Sequence, residues 1–215
     1  MARSVTSAAG VRALLEGQEH GTYAEQAGIR LTNTPRPLYQ LLVLAHLLSA
    51  RIRAETAVAA ARALFAAGMR TPRRMRDATW QERVDALGEG GYRRYDERTS
   101  TQLGTEAELV LGEYGGDLRR MRAVADGDVD LARSALREMP GIGPAGADIF
   151  LREVQGIWPE LSPYLDERVL RGARRAHLPT EPAALARLVP REELPRLAAA
   201  LVRTSLLRDG ADTSG

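Results

Sequence analysis

The sequence predicts an all-α protein whose helices form two lobes sharing a seam. Alanine, leucine and arginine dominate, and apolar residues recur at three- and four-residue spacing while β-branched runs are scarce. At 215 residues the chain exceeds the roughly 100–150 residues of a typical single domain. A hydrophobic fraction of 44% against a charged fraction of 27% belongs to a folded chain rather than a disordered one.

The head, up to about residue 32, is weakly patterned and ends in TNTPRP. Its prolines restrict the backbone and then release a helix over about 38–50. That helix is apolar nearly all round, which predicts the buried centre of a bundle. Further helices are expected over about 54–67, 79–87, 93–113, 117–125 and 128–138, separated by Gly68, GEGG at 88–91 and Gly115-Gly116. After a turn at 139–144 the pattern resumes over about 145–155 and crosses the loop GIWPELSP. It closes with helices over about 165–175, 181–188 and 191–207, and the ADTSG end reads as a frayed tail. No internal repeat of fixed period occurs.

Composition removes several chemistries. The absence of cysteine excludes disulfides, thiolate zinc sites, cysteine nucleophiles and an iron–sulfur cluster held by four thiolates. All 30 basic residues are arginine, so no side-chain amine exists to form a Schiff base. Against 28 acidic residues the net charge is only +2, which by itself points to no polyanion. The three histidines, His20, His46 and His177, show no metal-ligand spacing, so no metal site is expected. His46 lies within the apolar helix and reads as a satisfied core residue. The longest apolar run, LLVLAHLL at 41–48, is far short of the roughly 20 residues of a bilayer span, and the N-terminus lacks a basic-then-apolar signal. A cytoplasmic protein without a membrane partner is expected, nucleoid-associated if the source is prokaryotic.

The most informative stretch is EMPGIGPAGADIF at 138–150. One helix ends at Met139-Pro140, the turn is Gly141-Ile142-Gly143, and Pro144 suits the first turn of the next helix. Glycines let a ligand approach the backbone, and the amides and dipole at the start of the second helix favour an anion, a DNA phosphate above others. An ordinary tight connection between helices would use the same residues. Downstream, Asp166 in PYLDERVL opens a helix, where it can serve as an N-cap.

In this order, the hairpin, the Gly/Pro-containing loop and the helix-initial aspartate resemble the signature of the endonuclease III-like superfamily of helix–hairpin–helix (HhH-GPD) DNA glycosylases. PLYQLLVLAHLLSAR at 37–51 is similar to the superfamily's buried helix with its Leu-Ser-Ala turn, and GGYRRYDERTSTQL at 90–103 to its glycine-tyrosine loop and following helix. The resemblance covers about residues 35–175. It implies a central lobe over 33–145 ending in the hairpin, a second lobe made of 1–32 plus 146–215, and a cleft between them.

The resemblance further implies an enzyme of base excision repair that extrudes a damaged or mispaired base from double-stranded DNA, as a monomer, and hydrolyses its N-glycosidic bond. Base departure leaves positive character on the sugar, which a fixed carboxylate stabilises while orienting water. Asp166 matches the superfamily's catalytic aspartate. Gly141, Ile142, Gly143 and Ala145 would offer backbone to a phosphate. Arg51 stands where relatives fill the gap left by the base, although a solvated charge ending a helix explains it equally. Apart from the resemblance, the arginine clusters Arg70, Arg73, Arg74, Arg76 and Arg168, Arg171, Arg174, Arg175 are candidates for DNA phosphate contact, although charge runs usually form solvated faces. Tyr92 and Tyr95 would wall the base pocket, although core packing explains them equally. Relatives with strand-nicking activity carry a lysine where this chain has Ala145, so the departure implies a monofunctional enzyme that uses water. No cofactor is implied beyond a monovalent cation that the hairpin carbonyls of relatives can hold. The alternative is a catalytically inactive helix–hairpin–helix protein that binds DNA or lesions.

Overall fold

The computed structural model describes residues 10–16 and 21–207, and the ADTSG tail lies outside them. Among these residues there are helices and turns and no strand. A helix over 10–16 (α1) precedes α2 (Tyr23–Gln26), opened by a capping box between Thr22 and Glu25. Then comes α3 (Pro35–Ser49), started by prolines at its first positions and buried at every residue from Leu38 to Leu47. This is the bundle centre that the apolar run predicted.

α4 (Ala54–Ala66) and α10 (Pro144–Val154) pack against α3. α5 (Pro72–Asp77) was not expected: Thr71 caps it, and Pro72 and Met75 turn inward while the arginines stay outside. α6 (Trp80–Glu89) opens with a second capping box, Thr79 with Glu82. α7 (Asp96–Tyr114) ends at Gly115, whose φ of 59° gives the left-handed cap that glycine supplies. Arg83 ties this corner together. Its guanidinium donates to the carbonyls of Met75, Ala78 and Ser100, joining α5, α6 and α7.

α8 (Arg119–Ala125) and α9 (Val129–Arg137), the latter capped by Asp128, lead into the hairpin and α10. A 3-10 turn over Pro159–Leu161 follows, then α11 (Glu167–Arg175), α12 (Pro182–Ala186), a 3-10 turn over Arg191–Glu193 and α13 (Leu194–Leu206). No helix among the described residues is long and apolar enough to cross a membrane.

Buried side chains fall into two clusters. The first runs from Ala24 through α3, α4, α7 and α10 to Leu161, with Trp158 fully buried beside Phe150 and its indole N–H donating to Asn33 Oδ1 at 3.0 Å. The second gathers Val11 with Leu165, Val169, Ala173, Leu185, Leu197 and Leu201. Within it α11 meets α13 almost backbone to backbone, since a Cβ at Gly172 would stand 1.9 Å from the Leu201 carbonyl oxygen. Only glycine permits that approach.

Glu153, at the end of α10, joins the N-terminal segment to the rest. Its carboxylate accepts the amides of Tyr23 and Ala24 at 3.0 and 3.2 Å. Burial pushes this carboxyl above its ordinary 4.5, with those hydrogen bonds opposing the shift. A raised folded value makes its contribution to stability full below pH 4.5 and lost as pH rises through the folded value. Urea unfolding of wild type and Glu153→Gln from pH 4 upward should show a steeper decline with pH in the wild type. Parallel curves would contradict this.

Candidate nucleic-acid interface and active site

The hairpin sits on the C-terminal end of α3. Gly141 has φ of 84°, and a Cβ there would lie 2.2 Å from both Cε1 and Nε2 of His46, so backbone and imidazole are in direct contact. Ser49, in the Leu-Ser-Ala turn, donates to its own helix at His46 O (2.6 Å) and reaches Gly141 O at 3.4 Å. Ile142 buries its side chain and gives its N–H to Met139 O at 3.0 Å. Gly143, the residue before α10, supplies no side-chain cap, so the helix's first-turn amides are left to an external acceptor, with Ala145 exposed beside them. The carbonyls of Met139, Gly141 and Gly143 already accept Ile142 N–H, Ser49 Oγ and Ala147 N–H. Each keeps a second lone pair, which is compatible with a cation there.

Beside this contact lies a cavity of about 290 Å³ lined by His46, Ser49, Arg51, Tyr92, Tyr95, Arg98, Thr99, Gln102 and Gly141, among others. Arg51, Tyr92, Tyr95 and Gly141, singled out separately in the sequence, therefore meet in one place. Tyr92 is both wall and core: it is 2% exposed, and burial pushes its hydroxyl above the usual phenol range, against a hydrogen bond with Thr99. Tyr95 is half-buried under the Arg94 guanidinium, 5.2 Å from the ring centre.

Asp166 does not line this cavity. It is the N-cap of α11, with Oδ1 accepting Val169 N–H at 3.0 Å, and its Oδ2 pairs with Arg152 of α10. The side chains of Arg152 and Asp166 are 8% and 14% exposed. Two of the roughly four lone-pair directions of the carboxylate are thus taken and two remain. The loop before Asp166 is fixed to α10 by reciprocal bonds between the buried Gln155 side chain and the main chain of Tyr164, at 2.9 and 3.1 Å. Tyr164 also donates its hydroxyl to Asp148 at 2.6 Å, and Arg133 of α9 donates to the same carboxylate at 2.7 Å. Asp148 therefore braces both helices of the hairpin and the returning loop. Burial pushes the Tyr164 hydroxyl well above the usual phenol range, and its bond to Asp148 adds to the shift.

Replacing Arg152 with methionine would leave the Asp166 carboxylate enclosed without its partner. Loss of one member of a buried ion pair costs about 3–5 kcal/mol, so urea unfolding of Arg152→Met should show a loss approaching that range. A change below about 1 kcal/mol would mean that solvent, not Arg152, satisfies the carboxylate.

Arg168 is exposed on the first turn of α11. Other arginines are committed within the protein: Arg174 pairs with Glu167, Arg76 with Asp77, and Arg70 donates to Phe65 O. The residues that sequence reasoning missed at the site are Ser49, Arg98, Gln102, Arg152 and the partner of His46, Glu106, whose Oε2 stands 2.9 Å from His46 Nδ1. Among the described residues no group of three or more histidine, aspartate or glutamate side chains is placed to hold a metal ion.

No protein-family model and no curated protein matches the chain. Solved structures do match. One of a thermostable thymine-DNA glycosylase superposes with a TM-score of 0.60 at 15% identity, over 95% of this chain and 86% of that one. A non-covalent endonuclease III–DNA complex superposes with a TM-score of 0.50 at 16% identity, over 91% and 84%. The chain has the all-α fold of the endonuclease III-like helix–hairpin–helix glycosylases.

Proposed function

We propose that this protein is a monofunctional DNA glycosylase that extrudes a damaged or mispaired base from duplex DNA and hydrolyses its N-glycosidic bond. The observation that carries the reading is the contact between hairpin and cavity: Gly141 belongs to both. A phosphate held by the first-turn amides of α10 would bring the attached nucleotide to the mouth of a pocket walled by Tyr92 and Tyr95. Arg51, at the rim, would occupy the stack vacated by the base, and Arg168 would meet the backbone. The solved structures with this fold include a thymine-DNA glycosylase and an endonuclease III bound to DNA, which supports the same class of activity here.

Asp166 would stabilise the positive sugar and orient water with its free lone pairs while Arg152 fixes the carboxylate. With no lysine in the chain, water is the nucleophile and an abasic site the product. A panel of duplexes carrying deaminated, mispaired, oxidised or alkylated bases tests this. Strand cleavage is expected only after hot alkali, which opens abasic sites, and cleavage without alkali would overturn the monofunctional assignment.

One observation favours the second reading, a lesion-binding protein without catalysis. Both oxygens of Asp166 already have partners within the protein. That reading expects salt-dependent duplex binding and no base release from the whole panel.

A further inference from the structure

His46 is 3% exposed, and its Nδ1 is bonded to Glu106, which is fully buried. The other edge of the imidazole, Cε1 and Nε2, lies against Gly141, and the residue lines the cavity. Nε2 has no hydrogen-bond partner among the described residues; the dyad's other unpartnered atom, Glu106 Oε1, is buried in the core, while His46 stands where the hairpin meets the pocket. A core histidine that merely satisfied Glu106 would gain nothing from a position on a cavity wall.

Resting on the glycosylase reading, we propose that His46 is the group that hydrogen-bonds the extruded base, and that the base is a neutral one carrying a ring carbonyl rather than a cationic alkylated purine. The polarity follows from burial. A Glu106–His46 pair carrying a net negative charge would be an uncompensated charge in an apolar core, whereas a net neutral pair is tolerated. Two neutral arrangements, imidazolium with carboxylate and imidazole accepting at Nδ1 from the acid proton on Oε2, leave a proton on Nε2; the third, with the acid proton on Oε1, would bury an O–H donor where Oε1 has no partner. The pocket is thereby offered a donor.

The remaining charges agree. Arg51 and Arg98 line the cavity, and no carboxylate does. Glu106 lies behind the imidazole with Tyr39 near it in the core, and Tyr92 and Tyr95 complete the walls. Such a lining repels a base that already carries positive charge and stabilises one that leaves with negative charge. In the step itself the C1′–N bond breaks with its electron pair on the departing base, whose carbonyl oxygen accepts from Nε2–H. Water oxygen bonds to C1′, and its proton ends on the base nitrogen, giving free base and abasic sugar.

Single-turnover base release should be measured on duplexes containing uracil, hypoxanthine or mispaired thymine, and on duplexes containing 7-methylguanine or 3-methyladenine. The wild type is expected to release a carbonyl-bearing neutral base at least about 10-fold faster than either cationic one, the rate equivalent of one net hydrogen bond. The double variant His46→Leu with Glu106→Leu replaces the whole buried pair by apolar side chains and so keeps the core foldable. It should retain a cooperative thermal transition and lose about 100-fold or more in release of the neutral base, the cost of removing one preorganised donor. His46→Gln, which keeps an N–H donor, should recover part of that loss. Faster release of the cationic bases by the wild type, or undiminished release by the double variant, would overturn the assignment to His46 while leaving a glycosylase. No release of any base by the wild type would overturn the glycosylase reading itself, and this inference with it.

Discussion

Asp166→Asn should lower base release by at least about 100-fold while duplex binding stays close to that of the wild type. The estimate combines loss of a charge fixed beside the developing positive sugar with loss of a group that can accept a proton from water. Asparagine is as good an N-cap as aspartate, so the bond from Val169 N–H to this side chain should survive. The change falls instead on Arg152, which then faces an amide whose single oxygen must serve two donors. A modest loss of stability, about 1–3 kcal/mol, is expected on that account. Thermal unfolding therefore belongs beside the kinetic measurement, at a temperature where both proteins are folded. Full release by Asp166→Asn would reduce the residue to a helix cap and leave the chemistry to another group.

Gly141→Ala should weaken DNA binding more than a methyl group added at either other glycine of the hairpin, Gly143 or Gly146. Alanine in the left-handed region costs about 1–2 kcal/mol. The new methyl would also stand 2.2 Å from the His46 ring, and that ring cannot withdraw because Nδ1 is held by Glu106 in the core. Overpacking of this kind costs about 1–3 kcal/mol. The hairpin must lift off α3, taking the first-turn amides of α10 out of register with the cavity. Gly143→Ala is the matched control: its φ is −85° and nothing lies within 4 Å of the position of a Cβ. That variant should lose no more than about 1 kcal/mol, the difference between glycine and alanine at an N-cap. Urea unfolding together with fluorescence anisotropy on a labelled duplex separates the two, and equal behaviour would mean that His46 does not seat the hairpin.

The contrast between these glycines shows what the sequence carries and what it does not. PGIGP marks a turn and a helix start by local chemistry, because proline and glycine restrict or release the backbone wherever they stand. For the same reason the expected helix over 54–67 is Ala54–Ala66, and the all-α class followed from spacing alone. α5 went unseen because six residues span less than two turns, and its arginines outweighed the two buried positions, Pro72 and Met75. The role of Asp166 as a cap was legible, since capping is local. Its partner Arg152 was not, because a buried ion pair leaves no periodic signal. His46 shows the limit most clearly. An apolar helix says that its histidine is buried, and it is, but the acid that orients it is 60 residues away, and the cavity beside it exists only when α3, α7 and the hairpin converge.

A crystal structure of the protein with a duplex carrying a tetrahydrofuran abasic analogue addresses the central geometry directly. The expected result has a phosphate next to the extruded sugar accepting from the first-turn amides of α10, with that sugar placed between Asp166 and the cavity of His46, Tyr92 and Tyr95. A duplex bound elsewhere on the surface, or an extruded sugar beyond reach of the Asp166 carboxylate, would contradict it.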